Sequence, residues 1–372
     1  MKKQSFIFTF LLSFVSGLLL AGCTPAQSPQ TDTPAPAPTR TSAPAPVADE
    51  VTLVTHDSFD ISEDALQQFE RTSGIKLNIL KSGDAGEMLN TLLLSKDAPL
   101  GDVVYGIDNT FLSRALAGNL FRPYAAPALT NIPQRLKLDD QNRLLPVDFG
   151  YVTLNYDAGW FEQAGLEPPT DIADLIAPAY KGLTVVENPA SSSPGLAFLL
   201  TTIWRYGDVG EYTWRHFWKD LKRNDVLVTD GWSAAYFGQF TAGSGGEGSR
   251  PIVVSYATSP AAEVFFNELD APPTVSINTP GNSFEQVEFV GILQKSPHPA
   301  AAEKLVDFLL DVSFQQEIPQ HQWVYPANSQ APVGDLFQKW AKIPAEPVTL
   351  AADAIAQHRE QWLEDWTDIM LR

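Results

Sequence analysis

The chain has 372 residues, 44% of them hydrophobic, and a formal net charge of −19. An acidic balance of this size excludes a protein that tracks nucleic acid or adsorbs to anionic lipid. The single cysteine excludes an internal disulfide and leaves the folded part no thiol for catalysis or metal binding.

In chain order, Lys2 and Lys3 precede an apolar run from Phe6 to Leu20, which ends in Leu20-Ala21-Gly22-Cys23. Charge, apolar stretch and small residues at a cut point read as a signal peptide over 1–22. The run is short for a membrane span, which needs about 20 residues. Leu-Ala-Gly-Cys resembles the lipobox of bacterial lipoproteins. That resemblance implies cleavage before Cys23 and acylation of its thiol and amine. Residues 23–50 then form the lipidated Cys and a linker dominated by Pro, Ala, Thr and Ser. Such a segment has too little apolar surface to offset its ordering entropy, and its prolines favour an extended spacer. The remainder is too long for one typical core and predicts two lobes.

The body opens on a strand, Val51–Thr55. Ser62–Thr72 follows as a helix, with Ala65, Leu66 and Phe69 at helical spacing and Gly74 as its stop. Leu77–Leu80 is a strand, Met88 to Leu93 marks a helix, Asp102–Ile107 is a strand, and Thr110–Ala117 is a helix. The pattern restarts with strands at Leu183–Val186, Val226–Thr229 and Ile252–Ser255 and an apolar helix at Gly195–Tyr206. Two longer strand-like runs, Leu144–Tyr156 and Phe284–Leu293, are suited to crossing between lobes. Ala301–Leu310 is a helix, and Ile355, Trp362, Trp366 and Ile369 share one face of a last helix. Alternating strands and helices predict α/β architecture with parallel-rich sheets and helices on both faces.

Ligands in such sheets gather at the carboxyl ends of strands. Those ends carry His56-Asp57-Ser58-Phe59, Gly83-Asp84-Ala85, Ile107-Asp108-Asn109, Asp148-Phe149-Gly150-Tyr151, Ser191-Ser192-Ser193, Gly231-Trp232-Ser233 and Tyr256-Ala257-Thr258-Ser259-Pro260. Trp323-Val324-Tyr325 comes later. Aromatic faces attract organic cations, and carboxylates accept from amino groups. Together they suit a flat, cationic, amine-bearing heterocycle. Asp57, Asp108 and Asp148 equally suit helix caps or turns. Trp204, Trp214, Trp218 and Trp362 read as packing residues. Gly243–Gly248 lacks the Gly-Lys-Ser/Thr ending of a phosphate loop and reads as a turn. Polyamine, sugar or ferric-ion receptors remain open from the residues, although no neighbouring Tyr pair for iron is found. A secreted hydrolase finds no Gly-x-Ser-x-Gly, no His-Glu-x-x-His and no cysteine nucleophile, so no catalytic residue, cofactor or metal ligand is assigned.

The order and spacing of Thr55–Phe59, Asp102–Asn109, Val147–Tyr156, Ser192–Leu196, Gly231–Tyr236, Ser255–Pro260 and Trp323–Pro326 resemble the periplasmic thiamine-binding proteins. The resemblance covers nearly all of Val51 to Arg372. It implies a two-lobed periplasmic-binding-protein fold of type II with crossing strands. One lobe would be 51–148 plus 281–312, and the other 149–280 plus 313–372. It implies a monomer in the cell envelope, held to a membrane by its lipid anchor. That monomer would deliver thiamine or thiamine phosphates to an ABC transporter permease. It places Asp84 and Ala85 against the ligand, with Trp232 and Tyr256 stacking on its rings. Ser192, Ser193 and Ser259 would bind polar groups. Ala257, Thr258 and Pro260 would complete a turn, and His56 and Trp323 would be further walls. Two positions depart from the family pattern. His56 stands where familiar members have Tyr, and Ala262 stands where Tyr is frequent.

Overall fold

The computed structural model describes residues 50–245 and 248–372. The signal peptide, Cys23 and the linker up to Asp49 lie outside the described residues, as do Gly246 and Glu247 of the glycine-rich turn.

Each early element follows from a local signal. β1 (Glu50–Thr55) leads to α1 (Glu63–Ser73), capped by the Ser62 hydroxyl on the Ala65 N–H and closed by Gly74 at φ 70°. β2 (Lys76–Lys81), α2 (Ala85–Leu94), β3 (Val103–Asp108) and α3 (Leu112–Ala117) complete a first α/β set. β4 (Phe121–Arg122) is a short edge strand. β5 (Leu145–Asp157) is the long strand expected as a crossing, and α4 (Ala158–Ala164) follows it.

The second set is β6 (Thr184–Glu187), α5 (Ser193–Tyr206), α6 (Trp214–Arg223), β7 (Leu227–Thr229), α7 (Trp232–Tyr236), β8 (Ile252–Tyr256), α8 (Ser259–Phe266) and β9 (Thr274–Ser276). β10 (Phe284–Leu293) is the return crossing. α9 (Pro299–Leu310), α10 (Val312–Gln315), α11 (Ile318–His321), β11 (Tyr325–Pro326), α12 (Gly334–Trp340) and α13 (Ala352–Met370) finish the chain.

The strands form one continuous curled sheet rather than two separate ones, in the order β2-β1-β3-β10-β5-β8-β6-β7. Its two flanks are parallel, β2-β1-β3 and β8-β6-β7. The centre is antiparallel, because β5 and β10 run in opposite senses through it. A chain that passes from one flank to the other and back must do so, and this gives the sheet its mixed character.

Most buried apolar residues of both flanks belong to one cluster, in which Phe69, Leu92, Leu196, Trp218 and Phe289 all take part, while Val185, Ala235, Tyr236, Phe240 and Val253 form a smaller one around α7. Trp214, Trp218 and Trp362 are buried as packing residues, whereas Trp204 is half exposed. α10 packs on α9, α12 on α8, and α13 on both α3 and α6, so the last helix touches both flanks. No described helix is long and apolar enough to cross a membrane.

Candidate functional site

The carboxyl ends of β1, β6, β7 and β8, the start of α2 and the middle of β10 surround a cavity of about 400 Å³, within the range of small-molecule sites. Of the residues expected there, His56, Asp84, Ala85, Ser193, Trp232, Tyr256, Thr258, Ser259 and Trp323 line it. Ser192, Ala257 and Pro260 do not. Ala257 is fully buried, with its N–H donating to the Tyr151 carbonyl, and Pro260 is buried in the first turn of α8.

Asp84 caps α2, and its carboxylate is more occupied than a free ligand contact would be. Oδ1 accepts from the N–H groups of Ala85 at 2.7 Å and Ser193 at 3.3 Å, and Oδ2 accepts from the Trp232 N–H at 3.0 Å. The last two donors come from the opposite flank, so Asp84 fastens α2 to the starts of α5 and α7. Burial pushes its carboxyl up to about 6, against the pull of those donors. Next to it, the Gly86 N–H donates to the Ser191 carbonyl at 2.9 Å. A Cβ on Gly86 would lie 2.6 Å from that oxygen and 2.8 Å from the Ala190 oxygen, so only glycine allows this approach. The hydroxyls of Ser192 and Ser193 are buried beside the carboxyl groups of Asp84 and Asp108 respectively.

Trp232 supplies the main aromatic wall. Its Nε1 donates to Ser255 Oγ at 2.9 Å, and Ser255 in turn pairs with Ser259 Oγ at 2.9 Å. One face of the indole is covered by Tyr236, stacked at 4.9 Å, whose hydroxyl donates to Glu263 at 2.8 Å. The Tyr256 ring stands 6.3 Å away at 66° to the indole plane. The two rings therefore meet at a corner and do not form a parallel slot. Trp323 sits at φ 57° and packs on Phe265 and Phe266 at 5.3 and 5.2 Å. A tryptophan in the left-handed region is held there by its surroundings. With Phe237, these rings make an aromatic rim.

His56 lies opposite. Its Nδ1 pairs with Ser58 Oγ at 2.9 Å, and its Nε2 is buried without a hydrogen bond, 3.9 Å from Glu288 Oε2. Desolvation lowers its pKa to about 4, so the ring is neutral at physiological pH. A Cβ at residue 106 would sit 2.3 Å from the imidazole, and Gly106 at φ 104° leaves it room. Ala262 also lines the cavity, so the two positions that depart from the family pattern both face the site.

The residue reading missed Glu288, Tyr236, Phe237, Glu263, Phe265 and Phe266, all of which line the cavity. Tyr236 follows Trp232 by one helical turn, a signal available once α7 is recognised. Glu288 gives no such signal, because only the register of β10 carries it to the cavity floor. Asp108 accepts from the Thr110 and Phe111 N–H groups as a cap does. Asp148 is neither cap nor turn: it is fully buried on β5 and accepts from the Tyr105 hydroxyl. The cavity has no Lys or Arg in its lining, and no cluster among the described residues could hold a metal ion.

Two α/β flanks on one sheet, joined by crossing strands and closed over a polar and aromatic cavity, define a solute-binding protein. The chain belongs to the bacterial extracellular solute-binding protein family, whose model matches residues 98–345, and proteins similar to it include thiamine-binding periplasmic proteins. One from Escherichia coli strain K12 is 30% identical, over 85% of this chain and 92% of its own. One from Brucella abortus is 29% identical, over 87% and 92%. Among solved structures, a periplasmic thiamin binding protein matches with a TM-score of 0.75 at 26% identity, covering 87% of this chain and 96% of that one. The periplasmic binding protein AfuA from Actinobacillus pleuropneumoniae, with exogenous fructose-6-phosphate bound, matches at 0.72 and 18% identity. It covers 87% and 98% and speaks for the fold alone.

Proposed function

We propose that this chain captures thiamine outside the cytoplasm and presents it to an ABC importer. The observation that carries the reading is the convergence of Asp84, Trp232 and Tyr256 on one cavity of about 400 Å³. Its lining combines aromatic faces with Asp60, Asp84, Glu263 and Glu288 and contains no Lys or Arg. That composition suits a thiazolium cation joined to an aminopyrimidine. It disfavours phosphate esters, whose charge would meet these carboxyl groups with no Lys or Arg in the lining to offset them. Free thiamine is therefore the preferred form, with Ser193 and Ser259 available to its polar groups.

With this reading goes a lobe closure: 51–148 plus 281–312 against 149–280 plus 313–372, with ligand favouring the closed form. The chain acts as a monomer and performs no catalysis on its ligand. Cys23 carries the lipid anchor, and the linker up to Glu50 holds the domain off the membrane. Cys23→Ala should release the mature protein from membranes, and persistence in the membrane fraction would remove the anchor from the reading.

The experiment is titration with thiamine, followed by tryptophan fluorescence, calorimetry and melting temperature. Binding should quench Trp232 and raise the melting temperature, as any ligand of the native state does. No heat and no thermal shift at millimolar thiamine, its phosphates or its pyrimidine would end the proposal.

A further inference from the structure

Three acidic residues stand in a row across the middle of the sheet. Glu288 on β10 is the register partner of Asp108 on β3 and of Asp148 on β5. Like charges placed directly opposite on neighbouring strands destabilise a sheet, so the three carboxyls cannot all be charged without cost to the fold. Two of them are occupied behind the cavity. Asp108 Oδ1 is taken by the Thr110 and Phe111 N–H groups, and Asp148 Oδ2 by the Tyr105 hydroxyl. Glu288 is the one that lines the cavity. Its Oε1 accepts from Gln286 Nε2 at 3.2 Å, and its Oε2 is 3.9 Å from the unpartnered His56 Nε2. Ser193, only 3% exposed and with its hydroxyl beside Asp108, lines the same cavity.

We propose that Glu288 is the counter-charge for a cationic ring in this cavity and sets the preference for a cation over a neutral ring of the same shape. The inference rests on the thiamine reading and deepens it. The groups facing Glu288 are His56 after β1, Tyr105 and Asp108 on β3, Asp148 on β5, Tyr256 on β8 and Asp84 at the start of α2. None of them is a permanent cation. Burial first, and then Asp148, Asp108 and Asp84, raise the Glu288 carboxyl well above its ordinary range and so favour its protonated form in the free site. An arriving cation replaces that proton, which passes to the buffer. A neutral ligand has no such effect.

The test compares thiamine with its analogue in which a neutral thiophene replaces the thiazolium. Wild-type protein should favour thiamine by about tenfold or more, and Glu288→Gln should reduce that preference to within about threefold. An undiminished preference in the folded variant would overturn the inference and leave the thiamine reading standing. Wild-type protein that binds neither compound would instead sink that reading. Should Glu288→Gln fail to fold, calorimetry of the wild type in two buffers of different ionisation heat decides. Proton release with thiamine and none with the thiophene supports the proposal, and equal proton counts overturn it.

Discussion

Gly86→Ala separates the closing of the cavity from the stability of the parts that close. Gly86 is the second residue of α2, where alanine is a better helix former by about 0.8–1 kcal/mol. Nothing in the conformation of α2 therefore opposes the change. The added Cβ would meet the buried Phe111 ring of its own flank at 2.8 Å, and across the cleft it would approach the Ser191 and Ala190 carbonyl oxygens to 2.6 and 2.8 Å. These are backbone atoms ahead of α5 and cannot turn aside as a side chain would. Relief requires α2 and the 190–191 turn to separate. That withdraws the Gly86 bond to Ser191 and the Asp84 bonds to Ser193 and Trp232. Three bonds at about 1 kcal/mol each amount to roughly 3 kcal/mol, or an affinity loss near 100-fold. Calorimetry with thiamine reads the loss. Small-angle scattering should show a ligand-saturated radius of gyration larger than that of the wild type. The melting temperature of the free protein should fall only by what shifting the Phe111 ring costs, so the loss of binding free energy should exceed the loss of stability. A variant that binds within threefold of wild type, with the same compact bound form, would refute the argument that this approach governs closure.

Asp84→Ala should also weaken thiamine binding, by about 10- to 100-fold, through loss of the two bonds across the cleft; equal affinity by calorimetry would remove Asp84 from the closure. The same residue gives a pH signature. Its folded pKa of about 6 lies above the ordinary 3.8, so the cost of burying its charge is present above pH 6 and vanishes below about pH 4. Wild-type stability relative to Asp84→Asn should therefore rise as the pH falls from 7 to 4, by up to about 3 kcal/mol, and a flat difference in denaturant midpoints would contradict it. His56 acts in the opposite sense: with its folded pKa lowered from 6.5 to about 4, it favours folding above pH 6.5 and loses that contribution as the pH falls through this interval. Its ring resonances should not titrate between pH 7 and 5. Trp232→Phe keeps a ring beside Tyr236 but loses the bond to Ser255, so it should cost about 1 kcal/mol in binding, and Trp232→Ala clearly more.

Much of the fold is written in periodicity. The alternation of β10 and the apolar spacing of α1, α5 and α9 place those elements within one or two residues, and Ile355, Trp362 and Trp366 mark the buried face of α13, because each buries a face that the sequence marks. α6 is absent from the expected elements although Trp214, Phe217, Trp218 and Leu221 mark one buried face opposite a charged one, a helical pattern that the sequence carries plainly. The site was legible where chemistry sits at a strand end, as with His56, Asp84, Trp232 and Tyr256. Glu288 was not, because it lies mid-strand and its meaning comes from its register partners Asp108 and Asp148. Nor was the role of Asp84 as a fastener. Its partners are the N–H groups of Ser193 and Trp232, more than a hundred residues away, and no side-chain pattern announces a backbone donor.

The position of the acidic row ties recognition to movement. β5 and β10 are the strands that pass between the flanks, so any change in the angle between flanks is accommodated near them. Asp148 and Glu288 sit on these two strands as direct partners, with a shift of register immediately after Glu288. Such irregularities bend a strand and re-aim the side chain beside them. A charge bound at Glu288 therefore acts at the place where the flanks are joined, while Asp84 and Gly86 act at the place where they meet. A ligand that satisfies the first favours the geometry that forms the second. On the proposed reading, closure would follow from the differential affinity of this cavity for a cation.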